Sequence, residues 1–143
     1  MLMTIWHREY TLDDVKKMCI GTMVEHVGIE FTDIGEDFLR AKMPVDHRTI
    51  QPAGLLHGGA SVVLAETLGS IAANLVVDHA KRSCVGLDIN ANHIRAVNSG
   101  WVYGSTRPIH IGRSTQVWEI RIADERDRLV CVSRITMAVL EHK

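Results

Sequence analysis

The chain predicts an α+β domain in which an antiparallel sheet curls around one long buried helix. Three observations point there. Residues 60–77 are apolar on almost every side of a 3.6-residue period, the mark of a helix buried all round. Two short runs before it and four after it alternate with period two, the mark of strands. The breaks between those runs are short and rich in Gly, Asn and Asp, which favours antiparallel neighbours and segregates the helix to one face of the sheet.

The elements follow in order. Thr11-Leu12-Asp13-Asp14 sets a hydroxyl three residues before a carboxylate, so a short helix starts there, with Leu12, Val15, Met18 and Cys19 on one face and Gly21 as its stop. From Gly28, Ile29, Phe31 and Asp33 alternate with Glu30, Thr32 and Ile34. Gly35-Glu36-Asp37 turns the chain, and Phe38 to Met43 returns it with Leu39, Ala41 and Met43 inward, ending at Pro44. Residues 45–56 have no clean period and read as a loop. The long helix follows with Val62, Val63, Leu64, Leu68, Ile71, Ala72, Leu75 and Val76. His57-Gly58-Gly59 stands at its entrance, and Glu66 and Asn74 interrupt it, so it is no membrane span. Cys84–Ile94, Trp101–His110, Thr115–Ala123 and Leu129–Leu140 then read as a four-strand meander, with turns at 97–100, 111–113 and 124–127. A helix this apolar calls for a second subunit as well.

The 143 residues make one domain, 1–143, with no low-complexity stretch and no linker-like proline cluster. Lys and Arg number 16 against 17 Asp and Glu, for a net charge of -1, which gives no electrostatic case for nucleic acid or an anionic membrane as partner. Cys19, Cys84 and Cys131 are few, odd in number and far apart, which argues against a disulfide framework. Met1 to Tyr10 has no apolar core of signal-peptide length, so a cytoplasmic protein is expected.

Most familiar chemistries find no footing. No Cys or His pair has zinc spacing, and Asp88-x-Asn90-x-Asn92 lacks the glycine and glutamate of a calcium loop. There is no phosphate loop, no dinucleotide fingerprint and no Gly-x-Ser-x-Gly elbow, so neither a metal nor a cofactor is expected. Glu66 is different. A carboxylate in the middle of so apolar a helix is costly unless it is paired or faces a cleft, and burial raises its pKa toward the range useful for proton transfer. Two readings stay open: a catalytic carboxylate, or one tied to buried backbone or to an arginine such as Arg134. Ser70, four residues on, shares its face.

Gly58 and Gly59 leave the N–H groups at the helix entrance unobstructed, an arrangement suited to a developing oxyanion, with Gln51 and His57 adding polar side chains from the same loop. Gly58 and Glu66 stand roughly 12 Å apart along the helix axis at the rise of an α-helix. One carbonyl cannot touch both within a chain. If both act on one substrate, the two groups come from different subunits, and the chain is an obligate dimer with interfacial sites.

Gln51-Pro52-x-Gly54-x-Leu56-His57-Gly58-Gly59 and Ala65-Glu66-Thr67-x-Gly69-Ser70, in this order of elements, resemble the hotdog-fold acyl-CoA thioesterases. Met43-Pro44-Val45-Asp46, the run Gly86 to His93 and Gln116-Val117-Trp118 resemble the branch holding 1,4-dihydroxy-2-naphthoyl-CoA hydrolase and the proofreading thioesterase of enterobactin synthesis. The resemblance implies Glu66 as nucleophile or general base, the Gly58 N–H as oxyanion donor, Gln51 and His57 as orienting groups and Ser70 as support. It implies CoA contacts, with less force, at His93, Arg95, Arg113 and Ser114, and assembly as a dimer of dimers. It further implies an acyl-CoA substrate, with an acyl carrier protein as the alternative thiol carrier. Phe38, Met43, Trp101 and Tyr103 are candidates for an acyl pocket. Enoyl-CoA hydration on the same fold and a non-catalytic acyl-CoA binding module are the competing functions. Hydration pairs an aspartate with a histidine, and here the acid is Glu66.

Overall fold

The computed structural model describes residues 3–143; the first two residues of the segment read for a leader lie outside them. Two short helices, α1 (Leu12–Met18) and α2 (Met23–His26), precede the hairpin β1 (Glu30–Ile34) and β2 (Leu39–Pro44). The long helix α3 (Gly58–Val76) follows, then β3 (Arg82–His93), β4 (Trp101–Ile111), β5 (Thr115–Ala123) and β6 (Leu129–Glu141). The Thr11 capping box is present, with the Asp14 N–H donating to the Thr11 hydroxyl and the Thr11 N–H to the Asp14 carboxylate. α2 carries no sequence period, being a single turn capped by the Thr22 hydroxyl.

The six strands form one antiparallel sheet in the order β1-β2-β4-β5-β6-β3. The expected four-strand meander is therefore corrected. Only β4, β5 and β6 run as a meander, while β3 pairs with β6 at the far edge. The cause lies in the segment between β3 and β4, which is captured by the loop after β2. The Leu56 N–H donates to the Val97 carbonyl at 2.7 Å and the Val45 N–H to the Gly100 carbonyl at 2.8 Å. That capture delivers Trp101 opposite Pro44, so β4 pairs with β2 instead of turning back on β3. A second correction concerns β1, where a bulge between Phe31 and Asp33 sends Asp33 outward and packs Ile34 against the core.

The sheet curls around α3, whose Leu64, Leu68 and Leu75 are fully buried against Trp118, Ile120, Ile135 and Met137. Each such leucine contributes about 2 kcal/mol of burial. Gly69 permits the closest approach, since a Cβ there would stand 2.5 Å from an Ile135 methyl. The N-terminal segment closes one side. Trp6 stacks on Trp118 at 6.3 Å and donates to the Gly35 carbonyl, while the His7 N–H donates to the Leu75 carbonyl near the end of α3.

The long helix is buried in the sheet as expected, and in a single chain one side of it stays open. Val62, Val63, Glu66, Ser70 and Asn74 are only half-buried, because the sheet ends at β3 on that side. The outer margin of β3 is unpaired and displays Val85 and Leu87, 46% and 63% exposed.

Candidate active site

The helix entrance is built by its preceding loop. Residues 45–57 are held by the Thr49 hydroxyl donating to the Pro44 carbonyl at 2.6 Å and by the Ile50–Leu56 bridge. The Asp46–Arg48 pair, 2.7 Å apart, supports the same loop and holds the Asp46 carboxyl down at about 2. His57 caps α3, its Nδ1 accepting from the Gly59 N–H at 2.8 Å. An accepting Nδ1 places the proton of the neutral ring on Nε2, leaving that N–H as an outward donor. The Gln51 Oε1 accepts from the Ala53 N–H at 2.5 Å, so its side-chain amide nitrogen is the part left to donate elsewhere. The Gly58 N–H, first in the helix, has no acceptor among the described residues.

Gln51, Gly58, Ser61, His93 and Arg95 line one cavity of about 330 Å³. His93 comes from the end of β3 and lies so close to Gly58 that a Cβ there would stand 2.8 Å from the imidazole Nε2. A larger cleft beneath the N-terminal segment, about 760 Å³, and one on the outer face of the sheet, about 650 Å³, contain no such helix entrance.

Glu66 is not in that cavity. It sits two turns along α3, half-buried against β3, where its Oε1 lies over Gly86. It has no hydrogen-bond or ion-pair partner among the described residues, and Arg134 is exposed on β6 opposite Glu119. The structural alternative for Glu66, a tie to Arg134, is absent. Burial without a partner pushes the Glu66 carboxyl above its ordinary 4.5. An unpaired, half-buried carboxylate shifted by desolvation is a candidate for acid–base chemistry.

The sequence-derived set thus falls into two clusters in one chain. Gln51, His57, Gly58, His93 and Arg95 gather at the helix entrance, and Glu66 and Ser70 lie further along α3. No bond joins the Ser70 hydroxyl to Glu66; instead the Ser70 carbonyl accepts from the Asn74 side chain at 2.8 Å. Arg113 and Ser114 are exposed at the β4–β5 turn, about 35 Å along β4 from its Trp101 end at the strand rise. The aromatic acyl-pocket candidates are not gathered at Glu66. Met43 is fully buried in the core, Phe38 lies under the guanidinium groups of Arg40 and Arg107, and Tyr103 is exposed on the outer face. Trp101 packs under the Lys42 ammonium. The three cysteines are buried, free and shifted upward by burial, which makes them poor nucleophiles. Gly86 and Asn74 are missing from the sequence-derived set, although a glycine inside an otherwise unbroken strand signals a close approach.

Residues 53–131 match the family model described as Thioesterase superfamily. The chain is 52% identical over 136 residues to the 1,4-dihydroxy-2-naphthoyl-CoA hydrolase of Escherichia coli, covering 95% of this chain and 99% of that one. It is equally 52% identical over 136 residues to the proofreading thioesterase EntH of Cronobacter turicensis, covering 95% and 98%. The crystal structure of a thioesterase from Haemophilus influenzae superposes with a TM-score of 0.93 at 49% identity, covering 96% of each chain. An antiparallel sheet around a glycine-entered central helix is thus the hotdog fold, and the chain is a thioester hydrolase that belongs to the thioesterase superfamily.

Proposed function

We propose that the chain hydrolyses aromatic acyl-CoA thioesters in the cytoplasm, with 1,4-dihydroxy-2-naphthoyl-CoA of menaquinone biosynthesis as its substrate. The observation that carries the reading is Glu66, an unpaired carboxylate raised by burial and set against the open edge strand. The likeness to the Escherichia coli hydrolase supports the choice of acyl group. The Gly58 N–H stabilises the oxyanion that forms on the thioester carbonyl, and the Gln51 amide and His57 Nε2–H orient carbonyl or water. Glu66 either attacks the carbonyl carbon or takes a proton from the attacking water. Either way the C–S bond breaks, CoA leaves as the thiol, and one water is consumed. Arg95, beside Gly58, supplies positive charge for CoA, and His93 adds a ring N–H donor. Arg113 and Ser114 take part only if another copy brings them in.

A thiol-release assay with benzoyl-CoA, a naphthoyl-CoA analogue and palmitoyl-CoA tests the substrate class. Fast aromatic turnover with slow palmitoyl turnover is expected, and the reverse preference overturns it. A second reading is proofreading of misacylated aryl or acyl carrier proteins, favoured by the equal likeness to EntH. It predicts faster turnover of a carrier-bound aryl thioester than of the same acyl group on CoA.

The site is completed by a second copy. Glu66 meets Gly86 and Gly58 meets His93, both on β3. Bringing Glu66 of one copy to Gly58 of another places Gly86 of one β3 beside His93 of the other. Two antiparallel copies do this when the two-fold axis passes near Ile89 and Asn90. The exposed Val85 and Leu87 and the half-buried Val62 and Val63 are what such a dimer covers. Two such dimers form the tetramer. Mixing and refolding an inactive Glu66→Gln protein with an inactive Gly58→Val protein is expected to restore about a quarter of wild-type activity, since half of the chains' dimers are hybrids with one intact site. A mixture as inactive as its parents places each site within one chain.

A further inference from the structure

We infer that Gly86 is a positioning residue for the Glu66 carboxylate, a role that rests on Glu66 being the catalytic acid. β3 is fixed to α3 by Asn74, whose side chain donates to the Cys84 carbonyl at 3.1 Å and accepts from the Cys84 N–H at 2.9 Å. The same amide donates to the Ser70 carbonyl, one turn after Glu66. This two-way bond to an edge strand sets the height of β3 along the helix.

Two residues beyond Cys84, on the same face of the strand, stands Gly86. A Cβ there would come 2.7 Å from the Glu66 Oε1, 3.6 Å from its carboxyl carbon and 3.8 Å from Oε2. Gly86 has no positive φ, so the backbone itself does not require glycine at this position. What requires it is the space that the carboxylate occupies.

The next residue completes the device. The pairing of β3 with β6 shifts between Gly86 and Asp88, leaving Leu87 as the extra residue. Had the alternation run on, Asp88 would follow Gly86 onto the helix-facing side. The bulge turns Asp88 out to solvent and puts Ile89 against the core. Glu66 thus faces a bare stretch of backbone with no second carboxylate beside it among the described residues. A like charge there would raise its pKa further and disfavour the ionised form.

The three atoms nearest to a Gly86 Cβ all belong to the end of the flexible Glu66 side chain. Gly86→Ala therefore leaves the fold intact and displaces the carboxylate by about 1 Å, a misplacement that costs about 10²-fold in rate. The experiment is a double-variant cycle of Gly86→Ala and Glu66→Ala on the thioester substrate the wild type turns over fastest, with melting temperatures alongside. Gly86→Ala is expected to lower kcat about 10²-fold with KM within about threefold of wild type and the melting temperature unchanged. In the Glu66→Ala background it is expected to have no further effect, because the group it displaces is gone. Wild-type kcat in Gly86→Ala with an inactive Glu66→Ala overturns the role of Gly86 alone. Losses that multiply in the double variant also overturn it, since they show that Gly86 acts through the fold. An active Glu66→Ala overturns the catalytic reading of Glu66 itself.

Discussion

Glu66→Gln is expected to lower turnover by between about 10² and 10⁴-fold while making the protein more resistant to heat at neutral pH. The amide is nearly isosteric with the carboxylate, so it fits over Gly86 as Glu66 does, but it neither attacks a carbonyl nor accepts a proton from water. The stability gain follows from the sign of the pKa shift. Burial raises the folded-state pKa of Glu66 above its unfolded value, so the folded chain binds that proton more tightly than the unfolded chain does. The cost of holding Glu66 ionised is absent below the unfolded pKa. It grows as pH rises through the two pKa values and is complete above the folded one. Glutamine carries no such cost, so the variant melts higher at pH 7 and the difference closes by about pH 3. The same shift sets the pH profile, because activity that needs the carboxylate fails as pH falls through the raised pKa. The acid limb of kcat is therefore expected above the ordinary 4.5 of a glutamate. Near-wild-type rates in Glu66→Gln remove the catalytic assignment, and an acid limb at the ordinary value removes the role of desolvation.

The long helix, the strand runs and Glu66 were legible in the sequence because each rests on a local rule. A 3.6-residue period, an alternation and a lone acid among aliphatic residues need no partner to be seen. Strand order did not follow from such rules. Short breaks after Ser83 read as hairpins, yet the break before Trp101 is bound by Leu56 and Val45, residues some 40 or more positions earlier in the chain. No local pattern announces a capture of that kind. The acyl-pocket candidates failed for a related reason. Aromatic and thioether side chains on strands are named by type, whereas the face they occupy depends on the register of β2 against β4. Gly86 left a trace, a glycine inside a strand, but its meaning appears only when Glu66 is placed opposite. The 12 Å between Gly58 and Glu66, by contrast, followed from helix geometry alone. In the structure the two residues indeed face different parts of β3.

Gly58→Val is expected to cost between about 10² and 10³-fold in kcat/KM, the loss usual for a missing oxyanion donor. Two effects act together. Valine adds branched bulk beside the Gly58 N–H, which has no acceptor among the described residues, and its Cβ alone would stand 2.8 Å from the His93 imidazole. His93 is exposed at the end of β3, so its ring is free to swing aside and the fold survives. The two effects are separable. In Gly58→Val/His93→Ala the clash with the ring is gone while the N–H remains shielded. If Gly58 acts as the oxyanion donor, this double variant stays as impaired as Gly58→Val, and His93→Ala alone raises KM for CoA esters more than it lowers kcat. If the double variant recovers to the level of His93→Ala, the glycine is there to seat the histidine, and the donor must be sought at Gln51 or His57. A fully active Gly58→Val removes the helix entrance from the chemistry altogether. It would also leave Glu66 with no counterpart for a second subunit to supply.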